Sequence, residues 1–393
     1  MLSKETSMLI YADKNIAEVS AGFSDLGELH LFSPGKIDQQ ILEKTDVLVV
    51  RSVTKVNEQL LAQSKVQFVG SVTAGFNHVD TEFLSRRDIA FSSAPGCNAV
   101  SVSQYMTGVL LELSLKGKIN LKTGTIGIVG FGCVGKQVDR VARALGLKTL
   151  LNDPPLERGA KSAGQPHSFA SLDEILDCDA ITIHVPYEKK GPDATHDLFN
   201  EDRLCRVKKG SVLMNISRGG IVDEKTLLKL LSNGHLGGAV LDTWDNEPNI
   251  NTNLFPFLDF ATPHIAGHSW NGKVNGVRMI RSAICGHFKI KEPPAHYSVS
   301  LSTNLSPEET KNWKLMDFVK RTYNVNLDDK TLREAMGKGG AAETPIFESL
   351  RQNYRQRPEF SDFTFPAQST PKELSETLIR LGFKPSSPII SNS

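Results

Sequence analysis

Two histidines four positions apart, His264 and His268, lie in the stretch PHIAGHSWNGK (263–273), ahead of a helix-like segment. Upstream of them Arg218 stands in NISRGGIVDE and Glu247 in LDTWDNEP. Each residue type suits one task in a hydride transfer. An alcohol must lose its O–H proton as its C–H hydride leaves, and a histidine titrates in the right range to take that proton. A carboxylate beside the imidazole fixes the tautomer and favours the charged form. A guanidinium can grip a substrate carboxylate in two places and polarise the neighbouring oxygen. No metal is expected on the two histidines: the chain has no HExxH, and Glu247 serves better as the partner of an imidazole.

Hydride chemistry needs a cofactor, and the stretch GIVGFGCVGKQ supplies a place for one. Gly130, Gly132 and Gly135 have the GxGxxG spacing, a strand-like run precedes them, and the helix pattern VGKQVDRVARAL follows. Gly130 is assigned the tight turn, Gly132 the close approach of backbone to a pyrophosphate, and Gly135 the packing of helix on strand. The free N–H groups of Cys133 and Val134 at the helix start favour the phosphate anion. Asp153 ends the next strand 18 residues past Gly135, close to the offset expected of the acid that binds the ribose hydroxyls. Its charge would repel a 2′-phosphate, so NAD is expected rather than NADP.

The elements that must position these groups are β-rich runs alternating with helical patterns. MLIYAD (8–13), DVLVV (46–50), VQFVGSV (66–72) and IAFSSA (89–94) come first; a long apolar helix pattern spans 98–117. TIGIVGFG (125–132), KTLLND (148–153), DAITIHV (179–185), SVLMNIS (211–217) and LGGAVLD (236–242) follow. Such alternation indicates parallel sheets with helices on both faces, and ligands then bind beyond the carboxyl ends of the strands. Arg218, Glu247 and His264 all fall at such ends. After residue 289 the composition turns linker-like, then come the helix patterns LMDFVKRTYNV and TPKELSETLIRLGF, the second opened by a cap signal at Thr370 and Pro371. Met8 directly precedes the first strand, so 1–7 read as a dispensable extension.

Composition narrows the class of protein. With 393 residues, two or three domains are expected. Lys plus Arg number 45 against 44 Asp plus Glu, which argues against a nucleic-acid partner. The five cysteines are scattered without a CxxC pair, which suits a reducing compartment. No signal-like or membrane-length apolar run occurs, so a cytoplasmic protein without a membrane partner is expected.

Together these residues make the chain resemble the D-isomer-specific 2-hydroxyacid dehydrogenases, in which Arg, Glu and His follow one another in this order and spacing. It is most similar to the branch that oxidises 4-phospho-D-erythronate at C2 with NAD, in vitamin B6 biosynthesis. The likeness runs from Met8 to about Lys384 through VRSVTKVNE (50–58), VTAGFNHVD (72–80), SAPGCNA (93–99), NDPP (152–155), HVPYEKKGPDATHDL (184–198) and LRQNYRQRPEF (350–360). The resemblance implies an α/β fold of two doubly wound, Rossmann-like lobes with a cleft, plus a smaller α+β dimerisation domain. Residues 8–103 with 265–289 would form the substrate lobe, 104–264 the NAD lobe and 290–383 the dimerisation domain of a homodimer. Residues 1–7 and 384–393 are expected to be flexible.

The resemblance also implies catalytic roles for Arg218, Glu247 and His264. It adds Val185, Ile216, Ser217, Arg218, Asp242 and Gly267 to the cofactor site, and Ser52, Thr73 and His268 to the substrate site. Phe76 and Asn77 replace the usual Thr-Asp, and His268 stands where the family commonly has a substrate-touching tyrosine. A phosphorylated hydroxy acid needs cations at its far end; Arg51, Lys55 and His268 are candidates, with Arg351, Arg355 and Arg357 as further charge or merely a solvated helix face. The alternatives are a related dehydrogenase such as one acting on phosphoglycerate, or an NAD-sensing regulator without turnover. The C-terminal hundred residues lack the βαββαβ repeat of an amino-acid-sensing module, which weighs against the phosphoglycerate alternative.

Overall fold

The computed structural model of the chain describes residues 8–166, 168–298, 302–337 and 343–386, with only the backbone of 343 and 344. The expectation for residues 1–7 lies outside this range, as does that for 387–393. The chain separates into two compact units, one drawn from residues 1–98 and 269–300, the other from 99–268 and 301–393. Among the described residues the strands form three sheets, of five, six and three strands.

The first unit holds β1 (Leu9–Asp13), β2 (Glu28–Phe32), β3 (Val47–Val50), β4 (Phe68–Ser71) and β5 (Ala90–Ser92), in the order β2-β1-β3-β4-β5. All its pairings are parallel. Every residue of β3 and β4 is buried, which requires apolar side chains on both faces. Alternate residues divide between two cores. Ile10, Val47, Val49 and Phe68 pack with Val277, Ile280 and Ile284 of the Trp270–Phe288 helix, whereas Tyr11, Leu48, Val50 and Val69 pack with Leu61, Phe83 and Leu84. The edge strand β2 was absent from the sequence expectation: ELHLF is half exposed and lacks a continuous apolar run.

The second unit is built on β6 (Thr125–Val129), β7 (Lys148–Asn152), β8 (Ala180–Ile183), β9 (Val212–Asn215), β10 (Gly238–Leu241) and β11 (Phe260–Ala261). Their order is β11-β10-β9-β8-β6-β7, again parallel. One face packs against the Ala99–Leu115 helix through Tyr105, Met106, Val109 and Leu113; the other takes Ile181, Ile183, Leu213 and Leu241 into a separate core. That helix carries 14 buried residues along 17 positions, explaining its apolar character all round. Strand order reverses between β6 and β8, so the ligand crevice of this sheet opens above the turn after β6.

Most of the chain after residue 300 packs into the same unit. β12 (Thr303–Asn304), β13 (Phe363–Phe365) and β14 (Lys384–Pro385) pair in parallel. Phe318, Phe360, Phe365, Leu378 and Phe383 form an apolar cluster with Leu111 and Val141. The final helix, Lys372–Leu381, starts differently from the sequence expectation. Pro371 is itself the N-cap, and the Thr370 hydroxyl donates back to the Pro366 carbonyl at 2.9 Å instead of capping. Among the described residues no helix is long and apolar enough to cross a membrane.

Candidate active site

Two of the three glycines after β6 are confined to glycine by their surroundings. Gly130 has φ +91, and a Cβ there would meet the His184 carbonyl oxygen at 2.7 Å. A Cβ on Gly135 would fall 2.0 Å from the Gly130 carbonyl, so only glycine lets the Cys133–Ala144 helix start this close to β6. Over Gly132 there is open space, and this N-cap residue makes no side-chain cap bond. The amides of the first turn, including exposed Cys133 and half-buried Val134, are therefore left to an anion. These residues fit a dinucleotide pyrophosphate.

Asp153 stands after β7, and both of its carboxylate oxygens accept backbone hydrogen bonds. One carboxylate oxygen accepts from Phe131 N at 2.8 Å, inside the glycine turn, and the other from Leu156 N at 3.0 Å, capping the Pro154–Ser162 helix. Each oxygen keeps a lone pair for a hydroxyl. The turn-residue role and the ribose role are thus compatible in one side chain.

Arg218 follows β9 in a turn organised by buried Asn215. The Asn215 carbonyl accepts from the amide and hydroxyl of Ser217, at 3.2 and 2.9 Å, while its NH₂ donates to the Arg218 carbonyl at 2.8 Å. Ile216 and Ser217 are buried, and Arg218 Nη1 donates to the Ser217 carbonyl at 2.6 Å. Burial pushes the Arg218 guanidinium below its usual value, nearby Glu247 opposes this, and the positive charge of Arg351 adds to it.

Glu247 lies in the loop after β10, preceding Pro248 through a cis bond. Its Oε1 accepts from Trp244 N at 2.9 Å and its Oε2 pairs with His264 Nδ1 at 2.8 Å. Burial alone would raise the Glu247 carboxyl, but the charge and hydrogen bond of His264, aided by Trp244 N–H and Arg351, hold it below the usual range. With Glu247 ionised, Nδ1 is the donor and Nε2 is the nitrogen left for proton transfer. His264 itself has φ +55, an unusual backbone for a non-glycine residue, and its N–H reaches the Thr262 carbonyl at 3.0 Å.

Asp242 is 2 % exposed and spent on the neighbouring turn. It accepts from the Thr262 hydroxyl at 2.7 Å, Ile265 N at 2.8 Å and Ala266 N at 3.0 Å. Burial pushes its pKa up, against His264 and these three donors. Its geometry is that of a support for the His264 turn. Sequence reasoning missed the other supports: Tyr105, whose hydroxyl is 2.9 Å from that of Thr262, and Trp244, whose indole donates to the Thr262 carbonyl at 2.9 Å. A signal for them existed, since Tyr105 and Trp244 carry polar tips inside apolar runs.

Of the remaining expected residues, His268 packs its ring edge-on to Tyr354, 5.9 Å between centroids, and its N–H bonds the Ile265 carbonyl at 2.9 Å. Half-buried Val185 follows β8 and half-buried Gly267 sits between Ala266 and His268. In the first unit, Thr73 is tied into its own turn by contacts with the Ser71 hydroxyl at 2.7 Å and the Gly75 carbonyl at 2.9 Å. Ser52 is exposed, beside Arg51, whose Nε donates at 2.8 Å to fully buried Asp13. Asp13 ends β1 and Arg51 follows β3, so this pair marks the point where strand order reverses in the smaller sheet. Among the described residues no group of three or more His, Cys, Asp or Glu could hold a metal ion.

A doubly wound sheet with a glycine turn at its switch point and an Arg–Glu–His set beyond its later strands defines an NAD-dependent 2-hydroxyacid dehydrogenase. Residues 104–266 match the family described as D-isomer specific 2-hydroxyacid dehydrogenase, NAD binding domain, and residues 294–382 match a domain of unknown function. Across its length the chain belongs to the erythronate-4-phosphate dehydrogenase family. It is 37 % identical over 379 residues to the erythronate-4-phosphate dehydrogenase of Salinibacter ruber, covering 94 % of this chain and 96 % of that one. It is 36 % identical over 391 residues to that of Hahella chejuensis, covering 97 % and 100 %.

Solved structures agree on the fold. The NAD-bound 3-phosphoglycerate dehydrogenase of Entamoeba histolytica is similar with a TM-score of 0.60 at 22 % identity, over 74 % of this chain and all of that one. The NAD-dependent formate dehydrogenase of Staphylococcus aureus, in complex with NAD, gives 0.57 at 25 %, over 73 % and 97 %.

Proposed function

We propose that this protein oxidises 4-phospho-D-erythronate at C2 to the 2-oxo acid, in pyridoxine 5′-phosphate biosynthesis. The single observation that carries the chemistry is the 2.8 Å pair of Glu247 and His264. NAD, when bound, accepts the hydride. The residues that would hold it are Gly130, Gly132, Cys133, Val134 and Gly135 at the pyrophosphate and Asp153 at the ribose, with Val185, Ile216, Ser217 and Gly267 lining the rest. His264 takes the C2 hydroxyl proton on Nε2, and Glu247 stabilises the imidazolium through Nδ1–H. Arg218, kept cationic, grips the carboxylate and polarises the oxygen on C2.

Ser52, Thr73 and His268 are assigned to the substrate, and Arg51, braced by Asp13, to its phosphate end. The C-terminal segment is assigned to a homodimer. Free thiols at all five cysteines support a cytoplasmic location. A turnover assay decides the function: NADH should form with 4-phosphoerythronate and NAD, far faster than with 3-phosphoglycerate. Equal rates on the two acids would make the substrate assignment wrong. No turnover on either would leave an NAD-binding regulator.

A further inference from the structure

The segment just after His264 is gripped from both sides. Its N–H groups, on Ile265 and Ala266, donate to buried Asp242. Its carbonyls face Arg357, which is 1 % exposed. Nη2 of Arg357 donates to the Ala266 carbonyl at 2.6 Å and to the Ser101 carbonyl at 3.1 Å, and Nη1 makes a longer contact, 3.5 Å, with the Ile265 carbonyl. The guanidinium carbon lies 4.5 Å from the centroid of the Tyr323 ring.

We infer that Arg357 is a positioning residue for the acid/base histidine: its guanidinium fork holds the Ile265–Ala266 carbonyls in the turn that keeps His264 against Glu247. The inference rests on His264 being the proton carrier. The left-handed backbone of His264 is strained and persists only if its surroundings impose it. Hydrogen bonds from a charged donor are stronger than those from a neutral one, which suits the Arg357 guanidinium to hold a strained turn.

Burying a guanidinium is expensive, and a neutral donor would satisfy one carbonyl at lower desolvation cost. What the planar fork adds is direction. It links carbonyls on two separate elements, the first turn of the Ala99–Leu115 helix and the catalytic turn. Asp242 fixes the Ile265–Ala266 peptide through Ala266 N–H and His268 N–H takes the Ile265 carbonyl at 2.9 Å, so the Ala266 carbonyl is the one whose direction depends on Arg357. The arginine comes from a C-terminal stretch that also places Tyr354 against His268, so that stretch shapes the catalytic turn from outside the nucleotide sheet.

The test compares Arg357→Lys and Arg357→Ala with Arg321→Lys, whose own partner is Glu309. Turnover, KM for each substrate, thermal melting and the ¹⁵N-histidine NMR signal of the His264 ring would be measured. A misplacement of about 1 Å costs on the order of 10²-fold in rate, so Arg357→Lys should lose about that in kcat, with KM for NAD close to the parent value. The His264 Nδ1–H signal should move or broaden. Added guanidinium ion should restore part of the Arg357→Ala rate, and Arg321→Lys should match the parent.

A folded Arg357→Lys enzyme with parental kcat and an unchanged His264 signal overturns the inference. So does failure of both Arg357 variants to fold, which would show a purely structural role. If Arg357→Ala alone does not fold, Arg357→Lys and the ring signal decide. Lack of turnover by the parent protein would count against the proposed function, while the His264 signal would still report on positioning.

Discussion

Glu247 Oε2 and His264 Nδ1 lie 2.8 Å apart although they are 17 residues apart in the chain, on loops that follow different strands. Their pairing occupies Nδ1 of the imidazole and leaves Nε2 outside it. In the oxidation direction His264 must be neutral to accept a proton, so kcat/KM should rise with pH along its acid limb; the reverse reduction should fall over the same interval. In Glu247→Gln the imidazolium loses its counter-charge, so turnover should fall in both directions. His264→Ala should cost on the order of 10²–10⁴ in turnover. Parental turnover in Glu247→Gln would remove the carboxylate from the mechanism.

Asp153→Ser retains an oxygen able to cap the Pro154–Ser162 helix, whereas Asp153→Ala does not. Both should weaken NAD binding and narrow the preference over NADP, but only Ala should also lose about 1 kcal/mol of stability from the cap. Dissociation constants for both cofactors, with melting curves, separate the two effects. An unchanged NAD/NADP ratio would take Asp153 out of the ribose site.

Loss of His268 should raise KM for the hydroxy acid more than it lowers kcat, because a contact present in ground and transition states alike contributes uniform binding. Steady-state kinetics of His268→Ala would show it. A fall in kcat with constant KM would instead place His268 in the proton-transfer step.

Glu224 gives a prediction on stability. Burial pushes its carboxyl up from 4.5 to about 7, against the hydrogen bond from Asp245 N, while the charges of Asp245 and Glu247 add to the rise. The folded state therefore holds this proton where the unfolded chain has released it. Stability should fall as pH rises from 4.5 toward 7, at no more than about 1.4 kcal/mol per pH unit from this group, and level off above. Glu224→Gln keeps the acceptor for Asp245 N–H and should flatten that slope. Chemical denaturation across this interval reads the difference, and equal slopes in both proteins would refute the assignment.

Sedimentation should show the full chain as a dimer. Cutting near residue 290 removes Phe318, Phe360, Leu378 and Phe383 from the cluster that covers Leu111 and Val141. The truncated chain should consequently lose stability as well as association. A stable, active monomer from that cut would remove the C-terminal segment from dimer formation.

The parallel sheets were legible because strands covered on both faces must be nearly continuous in apolar residues, as VLVV and AITI are. The glycine turn was legible because sterics leave Gly130 and Gly135 no other residue. Glu247 and His264 could be nominated by type and order, but the 2.8 Å bond depends on loops whose shape no local pattern encodes. β2 escaped notice because an edge strand needs only one apolar face. The arginines of LRQNYRQRPEF show the limit best: Arg355 pairs with Asp328, Arg351 adds its field to Arg218, and Arg357 is buried against backbone. In sequence they are three equivalent charges.

Asp153 joins two tasks that a lineage or an engineer would prefer to keep apart. The carboxylate assigned to the ribose also anchors Phe131 N–H in the glycine turn and caps the next helix. Cofactor choice and loop architecture are consequently inherited together. Replacing Asp153 narrows the preference but also removes the anchor on Phe131 N–H, so a full change toward NADP needs a substitute anchor in the turn, which makes the preference historically sticky even where a phosphate-binding arginine would be simple to gain.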